Sequence, residues 1–403
     1  MAVFAIILPD CACRSHAAFF ADLWSLRPER QLAVKARWLL CRTFHVDATF
    51  SLISKNIMKL QQMYLSFLVA FGLVISVPGH CDELSERASM NKYVKLMMQT
   101  QNVTELEALS STYLSTQART SSGIWKLTVF NTAISLAFDS RHKGPAYWAL
   151  AEKWARNWVE HYPESPAAHI AYAQMLLNHG WSFRGTGYAK DVEAQNWAPF
   201  AEYTQQARTY LETHKTIAAK DPSWYELMAV VAKQQSWPER EFSKLINEGL
   251  ERYPAFYQIY FAAIGYYGPK WGGNAESIEK FAQAALKRTQ SSEGFGMYAR
   301  IYWVASQTNY DDRLFSDSLV DWPVMKKGID DVLKKYPDNW NINNFARFAC
   351  LSGDKKKTAE LISRMDTPPL MAAWDQISDF QQCKDWAYAE QATSDKSLHT
   401  DTQ

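Results

Sequence analysis

Beyond residue 82 the apolar positions of the chain recur at intervals of three and four, the spacing of one face of an α-helix. The segment GPAYWALAEKWARNWVEHYP (144–163) places Trp148, Ala151, Trp154, Ala155 and Trp158 on one face. In SWPEREFSKLINEGLERYP (236–254), Leu245, Ile246, Leu250 and Tyr253 recur in the same way behind a start at Pro238. Runs of period two, rich in Val, Ile and Thr, are missing, so the pattern predicts an all-α protein.

Prolines set the frame of these helices. Tyr-Pro closes a helical stretch at Tyr162-Pro163, Tyr253-Pro254 and Tyr336-Pro337, and Asp221-Pro222 fills the same role. Asp221 is a plausible N-cap there, with Pro222 in the first turn, where its missing N–H costs nothing. A turn signal follows each proline after 16–18 residues, at Gly180, Pro238, Gly272 and Gly353. Each unit then reads as a helix, a tight turn and a second helix. Pro222 and Pro254 lie 32 residues apart, close to the ~34 of a tetratricopeptide unit. A longer gap after Pro163 implies an insertion. Another after Pro254 implies a further pair near SSEGFGMYARIYWVASQ (291–307). The expected architecture is a right-handed, TPR-like α-solenoid of paired antiparallel helices.

Two glycine-rich turns stand out. GPKWGG (268–273) satisfies half of a phosphate-binding loop, but Asn274-Ala275 replaces the Lys-Ser/Thr and the preceding AFYQIYFAAIGYY is helical. A phosphate cradle fails on both counts. The glycines instead turn the chain between two helices, with Asn274 as N-cap of the second. HGWSFRGTGYAKDV (179–192) occupies the equivalent place one cycle earlier. Arg184 lies there beside Trp181, in a turn expected to open a helix. Helix N-termini attract anions and guanidinium grips carboxylates in bidentate fashion. The alternative is a structural Arg184 paired with an acid, over a packed Trp181. Equivalent loops of repeats share a face. Trp181, Arg184, Gly185, Gly187, Lys270, Trp271, Gly272 and Gly273 are therefore the candidate binding surface, suited to an anionic or amphipathic partner.

These two turns, Trp181–Arg184-Gly185-Thr186-Gly187 and Pro269-Lys270-Trp271-Gly272-Gly273, together with SSGIWKLTVF (121–130), resemble the bacterial domain of unknown function 4034 family. The likeness spans roughly 95–350. It implies a helical-repeat fold and supplies no catalytic residue.

The N-terminal part reads differently. MKLQQMYLSFLVAFGLVISVPGHC (58–81) has a short charged start, an apolar run from Met63 to Val77, and small and turn residues after it. The run is short for a membrane span and suits a secretory signal peptide with cleavage near residues 79–81. Residues 1–57 are then an upstream extension. The rival reading is a genuine N-terminal region followed by a signal anchor. The mature domain is expected over 82–390, ahead of a disordered tail at 391–403. His80 before Cys81 argues against lipidation.

Composition narrows the function. Lys+Arg (43) and Asp+Glu (42) balance, and no basic block occurs, so nucleic acid is not an expected partner. Sixteen Trp and 20 Tyr suit either packing between helices or an aromatic binding surface. Cys350 and Cys383 are the cysteines after residue 82, and in an exported protein they can pair. His161, His169 and His179 lack the i, i+4 spacing of ligands on one helix and read as surface or helix-end residues. Asp311, Asp312, Asp317 and Asp321 lack the glycine and closing Glu of a calcium loop and read as a solvated loop. No cofactor is expected. The leading reading is an exported periplasmic or secreted module that binds a protein or peptide, with no membrane span in the mature chain. The alternative is an all-α carbohydrate-active enzyme of toroidal shape, which would need first and last helices adjacent and two carboxylates in an aromatic cleft.

Overall fold

A computed structural model describes residues 82–389, apart from 140, 142, 143, 186, 188 and 367. The expectations for 1–57, the signal segment 58–81 and the tail 391–403 lie outside the described residues. What is described is helical, without a strand; an isolated bridge pairs Arg119 with Trp125.

The helices are α1 (Glu83–Gln99), α2 (Val103–Thr116), α3 (Lys126–Ala137), α4 (Pro145–His161), α5 (Pro166–Arg184), α6 (Ala194–Thr213), α7 (Ser223–Gln234), α8 (Glu239–Arg252) and α9 (Tyr257–Tyr267). Then come α10 (Ala275–Glu293), α11 (Gly296–Ala305), α12 (Trp322–Lys335), α13 (Asn339–Leu351), α14 (Lys355–Ser363) and α15 (Ile377–Tyr388), with single turns between some of them. The local chemistry of the starts is as the sequence implies. Asn274 caps α10 in a capping box with Ser277, and Asp321 and Asp338 cap α12 and α13. Asp221 stands one residue further out than expected: α7 begins at Ser223, whose N–H donates to Asp221 Oδ1 at 2.7 Å. Gly180, expected in a turn, lies inside α5, where it lets Tyr203 of α6 approach. The turn comes five residues later, at Gly185.

Odd-numbered helices from α1 to α13 form an inner layer and run the same way. α3 lies beside α5, where the Asn178 amide donates to the Ser135 and Phe138 carbonyls. The second turn of α3 meets the start of α7, where Asn131 Nδ2 donates to Ser223 Oγ at 2.7 Å. α9 packs on α7 and α11, and α1 on α3 through Lys126 and Glu86. Even-numbered helices cover the outside. Their facing stripes are almost wholly apolar or aromatic: Trp148 and Trp158 of α4, Leu211 of α6, and Phe242 and Leu250 of α8 are buried. Each fully buried side chain of this size is worth about 1.5–3 kcal/mol.

The inner layer comes round on itself. α1 contacts α13, and the Glu83 backbone N–H donates to Asp338 Oδ2 at 3.3 Å. The loop 117–125 seals the N-terminal end of the inner helices. Glu83 accepts from the Ser122 N–H at 2.8 Å, and the Ser122 carbonyl accepts from Arg300 of α11 and Asn341 of α13. Trp125 meets Phe256 edge to face. Cys350 of α13 and Cys383 of α15 are disulfide-bonded, with Cα atoms 5.8 Å apart.

Candidate functional site

The two glycine turns follow the C-termini of α5 and α9, two inner helices of the same direction that flank α7. Arg184 is the last residue of α5. It therefore sits at the negative end of a helix dipole, not at an anion-attracting start. Its Nη1 donates to the Gly185 and Gly187 carbonyls at 2.9 and 3.2 Å, and its guanidinium lies over the rings of Trp181 and Trp197. Among the described residues no acid pairs with Arg184, whose Nε is buried without a hydrogen-bond partner, and the guanidinium closes its own helix.

The second turn is more open. Trp271 is 37% exposed, and Lys233 at the end of α7 lies 5.0 Å from its ring centre. Lys270 donates to the Thr308 carbonyl at 2.7 Å. Gly272 takes φ +93°, and a Cβ on Gly273 would overlap the Tyr267 carbonyl, so both positions require glycine. Trp271, Gly272 and Gly273 border a groove of about 660 Å³ between α8 and α10, which Trp181 and Arg184 do not reach. Both turns lie at the C-terminal end of inner helices, and the groove takes in residues of the second.

The histidines differ from expectation. His161 is exposed, but His169 is buried between the Tyr210 hydroxyl and the Pro163 carbonyl. His179 stacks on Trp148, and burial pulls its pKa down to about 4. These are packing residues. Of the aspartates at 311–321, Asp312 pairs with Arg347 and Asp317 with Arg313. Among the described residues no group of three or more His, Cys, Asp or Glu converges to hold a metal ion. No described helix is long and apolar enough to cross a membrane.

A site that the sequence reading missed lies on the inner face. A cavity of about 420 Å³ opens between α1, α3, α9, α11 and α13, lined by Arg87, Asn91, Gln258, Phe261, Arg300, Trp303 and Trp340 among others. Arg300 is 4% exposed. Nη2 donates to the Ser122 carbonyl at 2.7 Å, but Nε has no partner, and among the described residues no carboxylate pairs with the guanidinium. Its Cζ lies 5.1 Å from the Tyr257 ring centre, and Arg119 Cζ lies 4.6 Å from the same ring. Burial, first of all, pulls the Arg300 pKa down, and Tyr257, Glu293 and Tyr336 act against it. Three other buried polar atoms in this neighbourhood also lack partners: Asn91 Oδ1, Tyr257 Oη and Asn341 Oδ1. Buried polar groups are nearly always satisfied, and a buried unpaired cation is costlier still. Arg87 differs, because Glu83 Oε1 pairs with its Nε at 2.5 Å.

A neighbouring cavity of about 130 Å³ lies between α3, α5 and α7. Glu226 lines it, and among the described residues it has no hydrogen-bond or ion-pair partner. Burial, and then the Asp221 carboxylate, push Glu226 up to about 7. Asp221 is itself buried and is pushed up to about 6, against the pull of its Ser223 and Asn131 hydrogen bonds. Both cavities share Thr128 and Thr132 of α3 as a wall. No known protein family matches the chain, and no characterised protein matches it.

Proposed function

We propose that this is a helical-repeat binding protein of TPR-like kind that captures a peptide through a carboxylate held in the inner cavity. Arg300 carries the reading: a buried guanidinium with no counter-ion among the described residues, near the unpartnered Tyr257 hydroxyl, is complementary to a carboxylate. Trp303, Trp340 and Phe261 offer apolar surface for the rest of the ligand. Gln258 and Asn91 offer amides for its peptide groups. The paired antiparallel helices support the repeat architecture, and the two glycine turns support the grouping with the domain of unknown function 4034 family. The Cys350–Cys383 disulfide supports an exported protein.

The contact of α1 with α13 also meets one demand of the carbohydrate-active alternative. Its second demand is unmet in the two inner cavities, where Glu226 is the one lining carboxylate, whereas the groove beside Trp271 carries two, Glu239 and Glu276, among Tyr266, Tyr267 and Phe281. The test is calorimetric titration with N-acetyl-trialanine, which carries a carboxylate and no ammonium, and with its C-terminal amide. Binding of the acid but not of the amide, lost in Arg300→Met and weakened in Asn91→Leu, supports the reading. Equal binding of acid and amide, or no binding of the acid at millimolar concentration, rejects it.

A further inference from the structure

We infer that the smaller cavity on the same inner face is an ammonium subsite, so that the ligand is a short peptide with both termini free. The inference rests on the carboxylate reading of Arg300 and adds the other end of the ligand.

Glu226 projects from the first turn of α7, in an otherwise apolar stretch, SWYELMAVV (223–231). No Lys or Arg stands at i±3 or i±4, and none pairs with it across the helix layer among the described residues. The groups that share its cavity are neutral hydrogen-bonding ones, Asn131, Ser223 and Gln174. Asp221 lies behind it, fully buried, with Oδ2 unpartnered. This is an acidic, amide-lined recess without a cation. Next to it, across the Thr128 and Thr132 wall, lies a basic recess without an anion. A carboxyl and a guanidinium on one inner face, each without an oppositely charged partner among the described residues, are the complement of a zwitterion, whose ammonium would favour the ionised carboxylate. Each charge is costly alone, and a ligand bearing both opposites satisfies both at once.

The spacing favours a peptide over a free amino acid. Glu226 and Arg300 stand on α7 and α11, with α9 between them. Neighbouring helix axes lie roughly 8–10 Å apart. Two such intervals, less the inward reach of both side chains, are wider than the few ångströms between the charges of one amino acid. Three extended residues span roughly 10 Å.

The test uses trialanine beside N-acetyl-trialanine in calorimetric titrations of the whole protein, wild type and Glu226→Gln. The expected result is that trialanine binds at least about tenfold more tightly than its acetylated form, in line with a paired buried charge, and that the ratio falls toward one in Glu226→Gln. Equal affinities for the two peptides overturn the ammonium subsite while leaving the carboxylate site standing. A ratio that persists in Glu226→Gln overturns the assignment to this cavity. If neither peptide binds, the carboxylate reading fails and this inference fails with it. The comparison of the two peptides needs no variant, so it stands even if Glu226→Gln folds poorly.

Discussion

Replacing Glu226 by Gln should flatten the pH dependence of stability between pH 5 and pH 8. Glu226 has an ordinary value of 4.5, and burial followed by the Asp221 charge pushes it to about 7 in the folded chain. The folded state therefore holds this proton more firmly than the unfolded state. Stability from the protonated carboxyl is fully present below 4.5, declines as pH rises, and is gone above about 7. A gap from 4.5 to about 7 corresponds to about 3 kcal/mol at 1.36 kcal/mol per pH decade. Glu226 is partly open to its cavity and titrates together with Asp221, which reduces the expected effect to about 2 kcal/mol. His179 acts in the opposite sense: its pKa is lowered to about 4, so stability it contributes is lost as pH falls. The assay is accordingly a difference of differences, urea unfolding followed by Trp fluorescence at pH 5 and pH 8 for wild type and Glu226→Gln. Wild type should lose about 2 kcal/mol more than the variant on going to pH 8. Parallel losses would show that Glu226 is paired or hydrated in solution, and the account of its cavity would fall.

Opening the Cys350–Cys383 bond by Cys383→Ser should cost about 4 kcal/mol in the loop-entropy account, for a sequence separation of 33; an unchanged urea midpoint would mean that the bond is absent in solution. Glu83→Ala removes a fully buried carboxylate that ties Ser122 to α1 and pairs with Arg87 one turn along the same helix. A loss of about 3–5 kcal/mol is expected, with faster hydrogen exchange at the start of α13 as a sign that α1 and α13 come apart. Arg184→Ala should cost about 1–2 kcal/mol, from two hydrogen bonds to the backbone and the stacking on two indoles, and thermal unfolding will show whether the midpoint drops.

Much of the fold was legible because it is written locally. Prolines, Asp and Asn caps and the 3.6-residue period mark where α7, α8, α10 and α12 begin, and each signal acts within a single turn of chain. The meeting of α1 with α13 was not legible. It depends on the summed angles of many helix crossings, none of which leaves a mark in sequence. Arg184 was misjudged for a local reason: the turn around it ends a helix and does not open one, and Gly180 drew the expected turn too early. The inner site did leave a signal. Arg300 stands in MYARIYWVA (297–305) and Glu226 in SWYELMAVV, each a lone charge among apolar residues with no opposite charge one turn away. A charge on the buried face of a helix must find a partner elsewhere in the fold or in a ligand. Spacing along the chain cannot say which, because the answer lies in what α1, α3 and α13 bring to that face.

The central claim is that Arg300 receives a carboxylate from outside the chain. A crystal structure of the protein grown with trialanine tests it most directly. The account predicts the peptide on the inner face, with a carboxylate oxygen about 2.8 Å from the Arg300 guanidinium. Peptide bound instead in the groove beside Trp271, with the Arg300 cavity filled by water alone, would contradict it.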